Sequence, residues 1–149
     1  MTKVDVVRLG SQHAADLARL LAEHVQERRG GSPPRPDRFW AEKLLGDPRI
    51  LLFGARLDES LVGFAVVHEL TDCLTGLETG LLETVFVRPE CRGRGGGREL
   101  LAAIAEEGRR NAWSRVRWIV EEDGRRSSLP DRLAGTEPAT LHVVPMTRQ

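Results

Sequence analysis

The run Arg92-Gly93-Arg94-Gly95-Gly96-Gly97-Arg98 places four glycines in five positions, with arginines between and beside them. It joins an apolar run ending at Val87 to an amphipathic one beginning at Glu99-Leu100-Leu101. Such a strand–loop–helix junction suits an anion. Glycines let the backbone turn tightly and approach a ligand, and the free N–H groups and dipole of a helix's first turn favour negative charge. Arg92, Arg94 and Arg98 add positive charge where a phosphate would lie. A second chemical candidate precedes the loop: Glu83 is a carboxylate among the apolar residues Leu81, Leu82 and Val85, a setting suited to general-base work. His68 closes another apolar run. Cys73 and Cys91 lack CxxC or Cys/His spacing, so they read as unpaired thiols and no metal is assigned.

The elements that must position these residues follow from periodicity. Val4 to Leu9 reads as a strand, and Ser11 reads as the N-cap of a helix carrying Ala14, Leu17, Leu20, Leu21 and Val25 on one face. Gly30 to Pro36 is a loop, because its prolines lack N–H donors. A second helix is expected from Asp37 to Leu45, capped by Asp37, with Phe39, Trp40, Leu44 and Leu45 inward. Ile50–Arg56 and Leu61–Glu69 form a hairpin about Asp58-Glu59-Ser60, and a longer strand runs from Glu78 to Val87. After the glycine loop, a helix to about Ala112 buries Leu100, Leu101, Ile104 and Ala105. Strands at Val116–Val120 and Leu141–Val144 flank a polar turn at Asp123–Ser128 and about one helical turn at Leu129–Leu133. The result is an α/β (α+β) chain with a mixed, mainly antiparallel sheet.

Length and charge bound the remaining possibilities. A chain of 149 residues fits one domain, residues 1–149, with a single core. Its 22 basic and 22 acidic residues cancel, so no global field draws it to nucleic acid or a membrane. No stretch approaches the roughly 18 apolar residues of a membrane span, and no signal-peptide pattern is visible, so the expected location is cytoplasmic.

Context discriminates among glycine loops. A Walker loop ends in Gly-Lys-Ser/Thr, whereas this one continues Gly97-Arg98-Glu99 without a hydroxyl for magnesium. A dinucleotide fingerprint follows the first strand of its unit and has a third glycine, neither of which holds here. Val87 to Leu101 instead resembles the acyl-CoA-binding motif of the GNAT superfamily of N-acetyltransferases, R/Q-x-x-G-x-G/A. Arg92, Gly95 and Gly97 fill its fixed places. The element order β-α-α-β-β-β-α-β is likewise the GNAT order. Leu82 to Val87 and Trp118-Ile119-Val120 are most similar to small diamine and amino-acid acetyltransferases.

The resemblance implies acetyl-CoA as co-substrate. Its pantetheine arm would pair with the backbone of Val85, Phe86 and Val87, and its pyrophosphate would sit on Arg92, Gly93, Arg94, Gly95, Gly96, Gly97 and Arg98. A β-carbon at Gly95 or Gly97 would obstruct most. Glu83 corresponds to the general base of related enzymes, with Glu78 as substitute. Phe39, Trp40 and His68 would contact a small-molecule amine: an amine, amino acid or amino-group antibiotic. An aromatic on a short helix or a lone strand histidine is more often structural. Many relatives protonate the thiolate with a tyrosine, yet this chain has none and Pro130 stands in its place. Ser127 or Ser128 could donate instead, or the thiolate could take its proton from water. Family members commonly pair through C-terminal strands, so a homodimer is a further implication. Competing readings are an acyl-CoA-binding sensor without turnover, an acetyltransferase of protein N-termini or lysines, and a dinucleotide-type protein.

Overall fold

The computed structural model describes residues 3–120 and 137–146. The chain divides into two compact units, residues 1–119 and 120–149.

In the first unit, β1 (Asp5–Arg8), α1 (Ala14–Arg29), α2 (Arg38–Gly46), β2 (Ile50–Leu57), β3 (Ser60–Thr71), β4 (Glu78–Val87), α3 (Gly96–Arg110) and β5 (Val116–Trp118) follow in chain order. The strands form one sheet in that same sequence, β1 to β5. Neighbours are antiparallel except β4 and β5, which run parallel. A parallel pair needs a crossover connection, and α3 supplies it.

Alternation along the strands divides the core between two faces. Leu52, Phe64, Val66 and Phe86 pack with Leu17, Leu20 and Ala41 of the first two helices. Leu51, Phe53, Val67 and Leu82 pack with Leu100 and Ile104 of α3. Gly30 ends α1 at φ +73°, with its N–H donating to Gln26 O at 2.7 Å. The β2–β3 turn places Asp58 and Glu59 at φ 51° and 65°, the paired left-handed conformation that a two-residue hairpin requires.

Local expectations needed correction. Ser11 opens a short 3-10 turn, Ser11–His13, rather than capping α1. Here Gly10 N–H donates to His13 Nδ1 at 3.0 Å, and the α-helix begins at Ala14. Asp37 does cap α2, its Oδ1 accepting from Trp40 N–H at 3.1 Å. That helix buries only Ala41, however, leaving Phe39 76 % and Trp40 47 % exposed instead of inward. Nine residues give one buried stripe, and the adjacent aromatics fall outside it. α3 stops at Arg110 and β5 at Trp118, each shorter than the periodicity suggests.

In the second unit, the described residues 137–146 form neither helix nor strand. The expected strand Leu141–Val144 is therefore not formed, and Leu141, Val143 and Val144 are exposed. Alternating apolar residues make a strand only where a ladder partner takes their backbone groups.

Candidate active site

The site is built on the second half of β4. β5 pairs only with Gly80, Leu81 and Leu82, and its following residue closes the contact through Ile119 N–H to Leu82 O at 3.1 Å. Beyond Leu82 the two strands part. Glu83 to Val87 therefore has β3 on one side and no strand partner on the other among the described residues. Phe86 and Val87 are buried while Val85 is half-buried, so the side chains anchor this segment and its backbone is what the open edge offers.

Trp113 packs where the β4–β5 pairing begins. Its ring lies where a β-carbon on Gly80 would meet it at 2.6 Å and one on Gly108 at 2.9 Å, and its Nε1 donates to Glu69 at 2.7 Å. The ring thus fixes the α3–β5 turn against the start of β4.

A bulge places the carboxylate. Val66 pairs with Thr84 but Val67 with Leu82, so Glu83 is the extra residue, unpaired and exposed. On β3, His68 pairs with Leu81, making Glu83 its diagonal neighbour on the same face. His68 Nε2 and Glu83 Oε2 meet in a close hydrogen bond. Glu78, the substitute, is already engaged: Thr71 Oγ1 donates to it at 2.7 Å and Arg49 at 2.9 Å, which together hold its carboxyl below the usual range.

At the other end of the open edge lies the glycine loop. Pro89–Cys91 forms a 3-10 turn, Gly93 and Gly95 take φ +81° and +85°, and Gly95 begins α3 in the left-handed conformation. The first rung of the helical ladder runs from Glu99 N–H to Gly95 O at 2.9 Å. The amides of Gly96, Gly97 and Arg98 lie ahead of it, so they are free donors for an anion. No protein atom lies within 4 Å of a β-carbon built on Gly95, so the positive φ, rather than a clash inside the protein, demands glycine there.

The arginines divide into two kinds. Arg92 turns back: Nε donates to Val87 O at 2.8 Å, and NH2 donates to both Glu27 oxygens at 2.8 and 2.7 Å. Its guanidinium also lies 5.9 Å from the Phe86 ring centroid. Its charge is met by the Glu27 carboxylate of α1. Arg94 and Arg98 are exposed, with no ion pair among the described residues, and supply the open positive charge. Arg88 makes a second fork onto α1, donating to Glu23 at 2.8 and 2.9 Å. Sequence reasoning missed Glu23 and read Glu27 as an acid that could attract a cationic amine rather than as the partner of Arg92, although their i, i+4 spacing opposite a basic loop is a readable signal.

Phe39 and Trp40 are exposed on α2, and Lys43 lies over the Trp40 ring at 5.4 Å. No hydrogen bond or ring contact among the described residues joins them to His68 or Glu83. Ser127 and Ser128 lie outside the described residues. The geometry offers an extended backbone edge with an anion cradle at one end and a carboxylate–imidazole pair at the other.

The family model described as Acetyltransferase (GNAT) family matches residues 16–129. The chain belongs to the GNAT acetyltransferases. As a member it is an acetyl-CoA-dependent N-acetyltransferase, with the mixed sheet and flanking helices of that fold. Among solved structures it is similar to a ribosomal-protein-alanine N-acetyltransferase from Brucella melitensis biovar Abortus 2308, at 32% identity and TM-score 0.84, covering 97% of this chain and 99% of that one. An aminoglycoside acetyltransferase, meta-AAC0020, from an uncultured soil metagenomic sample and in complex with sisomicin, shares the fold at 19% identity and TM-score 0.79, covering 97% of each chain. So does the aminoglycoside N-acetyltransferase AAC(6')-Iy in complex with CoA, at 20% identity and TM-score 0.76, covering 99% of this chain and 97% of that one. By sequence, no curated protein matches the GNAT chain.

Proposed function

We propose that the protein transfers the acetyl group of acetyl-CoA directly to the primary amine of a small molecule in a ternary complex. One observation carries this reading: the open edge of β4 runs from the Glu83 carboxylate at its start to the glycine loop at its end. The backbone of Val85, Phe86 and Val87 would receive the pantetheine arm as an added strand. Gly93 to Arg98 would receive the pyrophosphate, with Arg94 and Arg98 supplying charge. Bound acetyl-CoA supplies the electrophilic carbonyl. An ammonium has no lone pair, so the acceptor must first lose a proton, and Glu83, hydrogen-bonded to His68, is the proton-accepting group. With no tyrosine in the chain, the departing thiolate, of reference pKa about 8.5, takes its proton from water or from Ser127 or Ser128. Phe39 and Trp40, exposed on α2, are available to wall the acceptor. The family match crosses the boundary at residue 119, which supports the whole chain acting as one acyltransferase domain.

Thiol release from acetyl-CoA across a panel of polyamines, amino acids and aminoglycosides tests this reading. Intersecting double-reciprocal plots with one amine class are expected. CoA binding without turnover of any amine would leave an acyl-CoA sensor, while stabilisation by NAD alone would overturn both. The 32% identity to a ribosomal-protein-alanine N-acetyltransferase favours a second acceptor, the free N-terminus of a protein. A peptide with an N-terminal alanine belongs in the same panel, and its turnover in preference to the small amines would select that acceptor.

A further inference from the structure

In the acetyl-transfer reading His68 serves only as the hydrogen-bond partner of Glu83. It lies on β3 at the register of Leu81, 30 % exposed at its side chain, with Nε2 against Glu83 Oε2. Its strand partners Ile50 on β2 and Leu81 on β4 are both apolar, and among the described residues its ring is hydrogen-bonded to one charged group, Glu83. Nδ1 has no protein hydrogen-bond partner among the described residues. A carboxylate on one ring nitrogen selects the tautomer with the proton on that nitrogen, leaving the other nitrogen's lone pair free. The same carboxylate stabilises the imidazolium that forms when the free nitrogen takes a proton.

We propose that His68 is the group that deprotonates the acceptor amine, taking the proton on Nδ1, and that Glu83 is its positioning residue. This rests on the acetyl-transfer reading and refines which group acts as base. The bulge supports the assignment: the extra residue in β4 brings Glu83 against the histidine instead of leaving the two strands in regular register. The proton balance closes. An ammonium and acetyl-CoA give an N-acetyl amide, CoA thiol and one proton. The amine's N–H bond breaks toward Nδ1, its electron pair forms the new N–C bond as the C–S bond breaks, and a second amine proton reaches the thiolate through water. His68 then releases its proton to solvent.

Two readouts on the full chain test the pair. In nitrogen-15 side-chain spectra without substrate, the His68 signals are identified by their loss in His68→Gln. They are expected to show the Nε2–H tautomer at neutral pH and to lose that preference in Glu83→Gln. An Nδ1–H tautomer in the wild type, or no change in Glu83→Gln, would overturn the assignment. In steady-state kinetics with the amine that the wild type accepts, His68→Gln should lower kcat about a hundredfold, in the range for losing a general base, with KM for acetyl-CoA unchanged. The doubly substituted protein should be no slower than His68→Gln alone, because the two residues act as a unit. His68→Gln with wild-type kcat and pH profile would return the base to Glu83. A wild type that turns over no amine would instead sink the acetyl-transfer reading, and the spectra would still decide the pair.

Discussion

His24, on α1, is packed against Phe86 at 5.0 Å and edge-on to Phe64 at 6.0 Å, and its buried Nδ1 has no hydrogen-bond partner among the described residues. Burial first, then the Arg28 charge, lowers its pKa below the ordinary 6.5, against the raising influence of Glu27. The unfolded chain therefore binds more protons below about pH 6.5, and stability must fall as pH drops through that window while being fully present above it. Urea denaturation between pH 5 and 7 should show this slope, and His24→Leu should flatten it; an unchanged slope would assign the acid sensitivity elsewhere. Gly95 poses a different single-residue question. At φ +85° a β-carbon costs about 1–2 kcal/mol, so in Gly95→Ala the loop relaxes and each binding event must restore the left-handed turn. The expected result is about tenfold weaker CoA binding by calorimetry, with little change in the fold. The need for glycine was legible from the chain, whereas His24 was not, because its partners Phe64 and Phe86 come from strands distant in sequence.

At the scale of elements, β4 matched its sequence range, Glu78–Val87, because its apolar run is long and bounded by clear turn signals. The bulge at Glu83 was invisible: a one-residue register shift is set by how two strands meet, and nothing in either strand alone records it. The outward turn of Phe39 and Trp40 escaped for a related reason. Helical periodicity places side chains around an axis but does not choose which stripe a nine-residue helix lays on the sheet. The charge pattern of the glycine loop was legible, yet its use was not, since two of its flanking arginines fork onto α1. The Arg88–Glu23 and Arg92–Glu27 pairs hold that helix against the loop. Both are partly exposed, which caps their worth. A double-mutant cycle of Arg92→Gln and Glu27→Gln should give a coupling of about 1 kcal/mol by chemical denaturation. If Arg92 instead met the ligand directly, Arg92→Gln would weaken CoA binding while the cycle returned no coupling.

For the molecule as a whole, the cradle is assembled from parts that tertiary packing brings together. The β4 backbone, the turn after it and the first turn of α3 must keep their relative positions for the ligand to find all its donors at once. α3 reaches the sheet through Leu100 and Ile104, and α1 reaches the loop through its two carboxylates. A ligand that binds only this assembled arrangement stabilises the native state by mass action, about 2.7 kcal/mol when present at a hundred times its Kd. For a chain of this size that is a rise in Tm of several degrees. Acetyl-CoA and CoA should both produce it, because the cradle and open edge address the part they share. Desulfo-CoA should do the same, since neither feature reads the sulfur, whereas NAD, with a pyrophosphate but no pantetheine arm to extend along Val85–Val87, should fall well short. Equal shifts from NAD and CoA would mean that the amides of α3 alone bind the ligand and that the open edge of β4 takes no part.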